Sequence, residues 1–396
     1  MGPGLSPYAS ASAMAAEPLL ISLDRLVEQD LLEPFEAPHT STVDGALLGS
    51  WKRPLLERAA ARLPATEVDA WAHEHPWGEA WARFRMPEAP RIELALQMLF
   101  DRQWAELRKA CEARGIEIIG DVPIFVSGQG CDATIRPELF DFSVCAGVPP
   151  DYFSETGQLW GNPHYAWDAH RAENFAWWAA RMERALEHCH VLRVDHFRGF
   201  VGAWAVPRGA ETATHGQWVP GPGLELFEAL RPMPLIAEDL GLITPEVVEL
   251  RKAIGAPGMK ILQFAFGGAG DHAFLPQNFE GSKWVAYTGT HDNDTARGWY
   301  ESAPEAARHR FRVMQACDGS DCSWDLIRCT WSTVAERAIA QLQDVLDLGS
   351  SARMNTPATA EGNWRWRSES PPPEHLARRL AELTWAFGRS PPPRLA

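Results

Sequence analysis

Three apolar runs in this sequence each end on an acidic residue: VLRVDH reaches Asp195, LIAED reaches Glu238, and VAYTGTHD reaches Asp292. In a β/α barrel, catalytic side chains project from the carboxyl ends of the strands, so each run predicts a strand with a carboxylate at its tip. Breaking a glycosidic bond requires a carboxylic acid that protonates the leaving oxygen. A retaining enzyme adds a second carboxylate, about 5 Å away, that attacks the sugar. The three acids therefore indicate glycoside chemistry.

The neighbouring residues predict a different role for each acid. Arg193 and Asp195 lie two positions apart on one strand and share a face, so the arginine charge favours an ionised, nucleophilic Asp195. Glu238 follows an apolar run, and an apolar setting raises the pKa of a carboxyl group, as a general acid requires. Asp292 follows His291, and this pair is suited to bind sugar hydroxyls. A single acid at a strand end is usually a cap, so the hypothesis rests on several such motifs in order.

Strands and helices alternate along the chain in a way that can position these acids. Apolar residues recur with a helical period over 91–115 and again over 171–190, just before the run that ends at Asp195. Thr244 is suited to cap a helix that starts at Pro245 and ends at Gly255. Helices are predicted to fill 304–342. This alternation favours a parallel sheet covered by helices on both faces.

Composition and charge narrow the class of partner. The chain has 396 residues, 45% of them hydrophobic and 22% charged, which is typical of a globular protein. Its formal net charge of -15 disfavours nucleic acid and anionic membrane surfaces and suits a neutral ligand. The 18 tryptophans include flat faces of the kind that pack on sugar rings, although most are expected in the core. No apolar run is long enough to predict a membrane span.

The seven cysteines predict reduced thiols in a cytoplasmic protein, because they are scattered, odd in number and not preceded by a secretory signal. The sequence His188-Cys189-His190 superficially suggests a metal site. It ends a predicted helix and has no partner pair at ligand spacing, so we predict no metal there.

Long motifs give a more specific indication. The chain resembles the 4-α-glucanotransferases of glycoside hydrolase family 77, also called amylomaltases or disproportionating enzymes, in the α-amylase clan. The similarity covers nearly the whole chain in order. It is carried by SPYASAS near the start, AGVPPDYFSETGQLWGNPHYAWD (146–168), LRVDHFRGF (192–200), IAEDLGLITPEV (236–247), APGMKILQFAF (256–266), YTGTHDNDT (287–295) and LGSSARMNTPATAEGNWRWR (348–367).

The resemblance implies a (β/α)8 barrel with inserted helical subdomains, forming a single catalytic domain over 1–396. Within it we expect a reduced helical insertion at 33–90, an insertion and cleft loop at 127–170, and a C-terminal helix and tail at 368–396. The implied activity is transfer of α-1,4-glucan segments between maltooligosaccharides or chains derived from starch or glycogen. It proceeds by a retaining double displacement through a covalent glycosyl-enzyme, without a cofactor or metal.

The resemblance also assigns residues. Asp195 matches the nucleophile, Glu238 the acid/base and Asp292 the stabiliser of the transition state. A loop over the cleft that carries Tyr152 and Phe153 would favour transfer by excluding water. The full set of implied substrate-binding residues is Ser6, Tyr8, Asp121, Tyr152, Phe153, Gln158, Trp160, Asn162, Arg193, His196, His291, Asn363 and Trp364.

The start of the chain departs from the family pattern. Family members have a strand, a helix and a second strand ahead of the segment matching SPY, and this sequence has Gly2-Pro3-Gly4 where they have Gly-Tyr-Gly. We therefore expect an N-terminally truncated barrel that lacks its first strand or strands. Two alternatives follow: an inactive or glucan-binding remnant, and an α-glucan hydrolase of the same clan.

Overall fold

The computed structural model describes residues 5–150, 154–270, 272–359 and 361–390. They form a mixed α/β fold that divides into two compact units. The first unit consists of the chain up to Thr40 together with Asp44–Gly255, and the second consists of Ser41–Val43 and the chain from Ala256 onward. The assignment of the whole chain to a single domain stays a prediction.

Helices dominate the first part of the first unit. The long helix predicted over 91–115 is confirmed as Pro90–Glu112, and its apolar face, including Leu96 and Leu99, packs in a core with Leu26 and Leu56. The helices of this unit are α1 (Leu23–Glu28), α2 (Gly45–Ala61), α3 (Ala65–Glu74), α4 (Trp77–Arg85), α5 (Pro90–Glu112), α6 (Cys131–Ile135), α7 (Trp167–Ala172), α8 (Ala176–His188), α9 (Leu224–Ala229) and α10 (Pro245–Ala253).

Helix α10 begins and ends where predicted, although the Thr244 side chain makes no capping hydrogen bond to the helix backbone. Thr244 precedes it in extended conformation and Pro245 is its first residue, where the missing N–H costs nothing. Gly255 follows with φ of 70°, the left-handed conformation that ends helices and that glycine adopts without a steric penalty. The short loop that follows Glu238 therefore leads into a helix with defined ends.

Two sheets occupy the first unit. The strands are β1 (Ile119–Pro123), β2 (Phe140–Val148), β3 (Gln158–Tyr165), β4 (Val191–Asp195), β5 (Gly202–Pro207), β6 (Gln217–Pro220) and β7 (Leu235–Ala237). A parallel sheet has the order β1-β4-β7, and an antiparallel sheet has the order β3-β2-β5-β6. In the parallel sheet Asp121 lies opposite Arg193, and Val194 lies opposite Ala237.

The second unit has a parallel sheet of order β10-β9-β8, from β8 (Gly258–Ile261), β9 (Trp284–Tyr287) and β10 (Arg337–Ile339). Its helices are α11 (Ala296–Ser302), α12 (Glu305–Gln315), α13 (Cys322–Trp331), α14 (Leu342–Val345) and α15 (Glu374–Ala386). The prediction of helices throughout 304–342 is wrong at β10. Three residues are too few to show a strand period, and pairing with β9 decides their conformation.

Neither parallel sheet closes into a barrel within the described ranges. Among the same residues, the structure has no helix long and apolar enough to cross a membrane.

Candidate active site

The parallel sheet of the first unit brings two of the predicted acids to adjacent strand ends. Asp195 is the last residue of β4 and lies opposite Pro123, the last residue of β1. Glu238 directly follows β7, and its backbone N–H donates to the Val194 carbonyl at 3.0 Å. Because parallel strands end at one edge of a sheet, Asp195 and Glu238 share the carboxyl edge, where α/β proteins place their sites.

Arg193 links two carboxylates at this edge. Its Nη1 donates to Asp121 Oδ1 and Oδ2 at 2.6 and 2.8 Å, and its Nη2 donates to Asp195 Oδ1 at 2.9 Å. Tyr8 donates its hydroxyl to Asp121 as well. Burial opposes the arginine charge, but Asp121 and Asp195 raise the pKa of Arg193 far above its usual range. A permanent positive charge therefore holds Asp195 in place and favours its ionised form.

Glu238 lies in a contrasting environment. Burial first, and the negative charge of Asp195 second, raise the pKa of its carboxyl to about 8. Arg193 and two backbone hydrogen bonds act in the opposite direction, from His196 N at 2.8 Å and Leu240 N at 3.0 Å. Glu238 is therefore protonated at neutral pH and oriented by the backbone, as a general acid must be. The raised pKa agrees with the expectation from its apolar run.

His196 adopts a left-handed backbone conformation, with φ of 51°, immediately after Asp195. This conformation is uncommon outside glycine, and histidine is among the residues that tolerate it. Burial, and then the charge of Arg198, lower the pKa of His196 to about 3, so the imidazole is neutral. Its buried Nε2 has no hydrogen-bond partner among the described residues. The ring of Trp160 packs edge-to-face with the imidazole, with 4.9 Å between the ring centroids. Trp160 and His196 together therefore offer an apolar ring surface and one polar atom, His196 Nε2, that makes no hydrogen bond with the described residues.

Strand β3 carries three of the implied binding residues. Trp160 is 37% exposed, and its Nε1 donates to Gln158 Oε1 at 3.1 Å. Asn162 donates from Nδ2 to the Val126 carbonyl at 2.8 Å, which ties β3 to the loop after β1.

Ser6 accepts from Tyr8 N at 3.3 Å and caps the turn that carries Tyr8. Ser6 thus supports the turn through its hydroxyl.

The second unit holds the third acid. Asp292 lies five residues beyond the end of β9, in a turn, so the prediction that it occupies the tip of the strand is wrong. Its Oδ1 accepts from Asn355 Nδ2 at 2.6 Å and lies 3.4 Å from His291 Nε2. The Asp292 carbonyl accepts from Arg353 at 2.6 Å. The centroids of the Trp364 and His291 rings are 5.3 Å apart. Asp292, His291 and Trp364, all implied by the motifs, therefore form one group.

Other implied residues have different surroundings. Asn363 hydrogen-bonds the Thr356 N–H and the Thr359 carbonyl and so shapes its own loop. Tyr152 and Phe153 lie outside the described residues. Asn355 and Arg353 were missed as site residues, although both are in the quoted ARMNTP stretch; only their contacts with Asp292 reveal them.

The residues of the His-Cys-His sequence have local partners. His188 Nε2 lies 3.1 Å from Asp101 Oδ1, and His190 Nε2 lies 3.0 Å from Glu112 Oε1. Within the described ranges, no group of three or more histidine, cysteine, aspartate or glutamate side chains is placed to hold a metal ion. All seven cysteines are free thiols.

An α/β fold with two carboxyl groups at neighbouring strand ends is typical of enzymes that cleave or transfer sugars. Comparisons with known proteins identify the family. A family model described as 4-alpha-glucanotransferase matches residues 66–371. The 4-alpha-glucanotransferase of Thermus thermophilus is 41% identical over 446 residues, covering 97% of this chain and 89% of that protein. The chloroplastic/amyloplastic enzyme of Arabidopsis thaliana is 39% identical, covering 98% and 77%.

A solved structure agrees. The amylomaltase from Streptococcus agalactiae, in complex with acarbose, superposes with a TM-score of 0.93 at 31% identity, covering 99% of this chain and 90% of that one. This chain belongs to the 4-alpha-glucanotransferase family.

Proposed function

We propose that this protein is a 4-α-glucanotransferase that moves α-1,4-glucan segments between maltooligosaccharides or chains derived from starch or glycogen. The observation that carries the proposal is the contrast between two neighbouring carboxyls. Asp195 is hydrogen-bonded to a permanently charged arginine, whereas burial raises the pKa of Glu238 to about 8. Two carboxyl groups with opposite protonation preferences are what a retaining glycosidic reaction requires.

The first displacement breaks the donor chain. Glu238 gives its proton to the glycosidic oxygen while that oxygen leaves the anomeric carbon, and a carboxylate oxygen of Asp195 bonds the same carbon from the opposite face. The cleaved portion departs with a new hydroxyl group. Asp292 carries the third role, stabilisation of the positive charge that develops on the sugar ring in the transition state.

The second displacement restores the enzyme. The 4-hydroxyl of an acceptor sugar attacks the anomeric carbon of the covalent intermediate and gives its proton to Glu238, and the ester bond to Asp195 breaks. Two inversions give net retention, and no redox step or cofactor enters the balance. Water in place of the acceptor would give hydrolysis.

The remaining implied residues receive binding roles in the proposal. Trp160 with neutral His196 provides an apolar surface and a polar atom for a sugar. Tyr8, Asp121 and Arg193 form a hydrogen-bonded network beside the nucleophile. We assign Gln158 and Asn162 to the support of this surface, Ser6 to the turn that carries Tyr8, and His291, Asn363 and Trp364 to the surroundings of Asp292. Tyr152 and Phe153 are proposed to belong to a loop that covers the cleft and excludes water.

We propose that the parallel strands belong to a (β/α)8 barrel, supported by the similarity to the Streptococcus agalactiae amylomaltase. A cytoplasmic location stays a prediction, since the Arabidopsis relative is named chloroplastic/amyloplastic.

The direct test is incubation of the protein with maltotriose and separation of the products by size. The proposal predicts a ladder of shorter and longer maltooligosaccharides, and Asp195→Asn should abolish it. Asp168→Asn is the matched control, because Asp168 is fully exposed at the surface. An unchanged ladder from Asp195→Asn would remove Asp195 from the nucleophile role. Glucose release without longer chains would identify a hydrolase, and maltotriose binding without products would identify a binding remnant.

A further inference from the structure

The loop at Arg353–Asn355 is fastened to the segment that carries Asp292. Four hydrogen bonds join or brace the two: Asn355 N to the His291 carbonyl at 3.0 Å, Asn355 Nδ2 to Asp292 Oδ1 at 2.6 Å, Arg353 Nη2 to the Asp292 carbonyl at 2.6 Å, and Arg353 Nε to the Asn355 carbonyl at 2.8 Å. We call this set the Asp292 clamp. It joins residues that lie 63 positions apart in the chain.

The Asn355 amide selects one orientation of the Asp292 carboxylate. The Asp292 side chain is 45% exposed, so packing alone leaves its rotamer weakly defined. A short hydrogen bond to a charged acceptor is about twice as strong as a neutral one. It anchors Oδ1, which also lies 3.4 Å from His291 Nε2. The other oxygen, Oδ2, accepts no hydrogen bond from the described residues and is available to a sugar.

Arg353 fixes the backbone on both sides of this contact. Its guanidinium donates to the carbonyls of Asp292 and Asn355, so the two peptide groups are held at a constant separation. Trp364 N donates to the Met354 carbonyl at 2.7 Å, which braces the loop from the other side. The side chain of Asn355 therefore approaches Asp292 from a fixed backbone.

We propose that Asn355 is a positioning residue, which holds the Asp292 carboxylate in the orientation that stabilises the transition state. Arg353 in turn fixes the backbone position of Asn355 relative to Asp292. The inference rests on the proposed function, since it acts through Asp292. A carboxylate placed wrongly by about 1 Å can cost on the order of 100-fold in rate. Because the interaction strengthens in the transition state, its loss lowers kcat and leaves KM for the donor nearly unchanged.

The first test is the kinetics of maltotriose disproportionation by Asn355→Ala. We expect kcat to fall roughly 10- to 100-fold, with KM changed less than about threefold. Asn278→Ala is the matched control, because Asn278 also donates its amide to two loop carbonyls of the second unit. It should change kcat less than about twofold. A rise in KM at constant kcat for Asn355→Ala would overturn the positioning role.

The isosteric Asn355→Asp supplies a pH readout that a purely structural role would not give. It places a second carboxylate against Asp292 Oδ1. Among the described residues, His291 and Arg353 are charged or titratable groups that also contact Asp292. A shared proton restores the hydrogen bond, so kcat relative to the unaltered protein should recover as the pH falls. A pH-independent ratio contradicts the proposal. This variant also decides the matter if Asn355→Ala does not fold.

A double-mutant cycle separates this inference from the proposed function. If Asn355 acts only through Asp292, adding Asn355→Ala to Asp292→Asn should lower the residual kcat no further. Full additivity of the two losses would overturn the inference while leaving the role of Asp292 intact. Unchanged transfer by Asp292→Asn alone would instead overturn the proposed role of Asp292.

Discussion

The protonation of Glu238 is the residue-scale property with the clearest consequence. Its pKa of about 8 means that the acid form predominates at neutral pH and is lost above pH 8. We therefore expect kcat/KM for maltotriose to fall about tenfold per pH unit above pH 8, because the proton donor disappears. Glu238→Gln should lose roughly 10²- to 10⁴-fold in kcat and should lack this alkaline limb. Initial rates across the pH range measure both effects.

The control for that experiment is Glu225→Gln. Glu225 is 52% exposed and pairs with Arg171 at the surface, so its loss should leave the rate and the alkaline limb unchanged. An alkaline limb that persists in Glu238→Gln would assign the proton donor to another residue.

At the scale of single residues, the sequence indicates the electrostatic environment of a side chain but not which distant residues contact it. The apolar run before Glu238 agrees with the raised pKa of its carboxyl group, and the two-residue spacing of Arg193 and Asp195 agrees with their hydrogen bond. The contact of Arg193 with Asp121 joins residues 72 positions apart, and that of Tyr8 with Asp121 joins residues 113 apart. No local pattern encodes such contacts.

At the scale of elements, Gly147 holds the strand pair that carries Trp160. A Cβ at Gly147 would lie 2.3 Å from the Gln158 carbonyl oxygen, a backbone atom of the paired strand β3. Gly147→Ala is therefore expected to force β2 and β3 apart and to lower the free energy of unfolding by roughly 1–3 kcal/mol. Chemical denaturation followed by circular dichroism measures this change.

The matched control is Gly49→Ala in helix α2. A Cβ there meets nothing within 4 Å, and alanine in a helix interior is favoured over glycine. We expect it to raise the free energy of unfolding by up to about 1 kcal/mol. Equal destabilisation by both variants would refute the close-approach argument for Gly147.

Asp344 in helix α14 is expected to make the stability of the folded protein depend on pH. Burial raises its pKa from 3.8 to about 6, although Ala296 N and the Thr288 hydroxyl donate to it. A raised pKa in the folded state means that the folded protein binds the proton more tightly. This contribution to stability is complete below about pH 4 and is lost as the pH rises through 6.

The expected test compares the unaltered protein with Asp344→Asn. Their difference in free energy of unfolding should change by ~2 kcal/mol between about pH 4 and pH 7, with the unaltered protein relatively more stable in acid. Denaturant titrations at several pH values measure it, with exposed Asp168→Asn as the control. A constant difference would show that Asp344 does not titrate as proposed.

The predictions of helices α5 and α10 are confirmed. The helix predicted over 171–190 is shorter, since α7 ends at Ala172 and α8 is Ala176–His188, because Asn174 and Phe175 adopt left-handed conformations that interrupt the helix. Helices α5 and α10 were expected because one has many turns of apolar periodicity and the other has Thr244, Pro245 and Gly255 at its ends. Strand β10 was missed because its three residues acquire strand geometry only by pairing with β9.

At the scale of the whole molecule, charge and family predict partner choice. With a net charge of -15, the protein should not bind DNA at physiological salt, whereas a glucan carries no charge to repel it. Migration through native gels should be retarded by embedded glycogen and unaffected by embedded DNA. Retardation by DNA alone would contradict both expectations.

The sequence by itself determined Asp195 and Glu238 at strand ends, the family that carries them, and the long helix α5, because these depend on residue type and local spacing. Only the tertiary structure decided which groups touch: Tyr8 and Arg193 on Asp121, the backbone N–H groups on Glu238, and Asn355 on Asp292. Such contacts join distant parts of the chain, and their distances and burial depend on how the elements pack. Packing therefore sets the protonation of Glu238 and the orientation of Asp292.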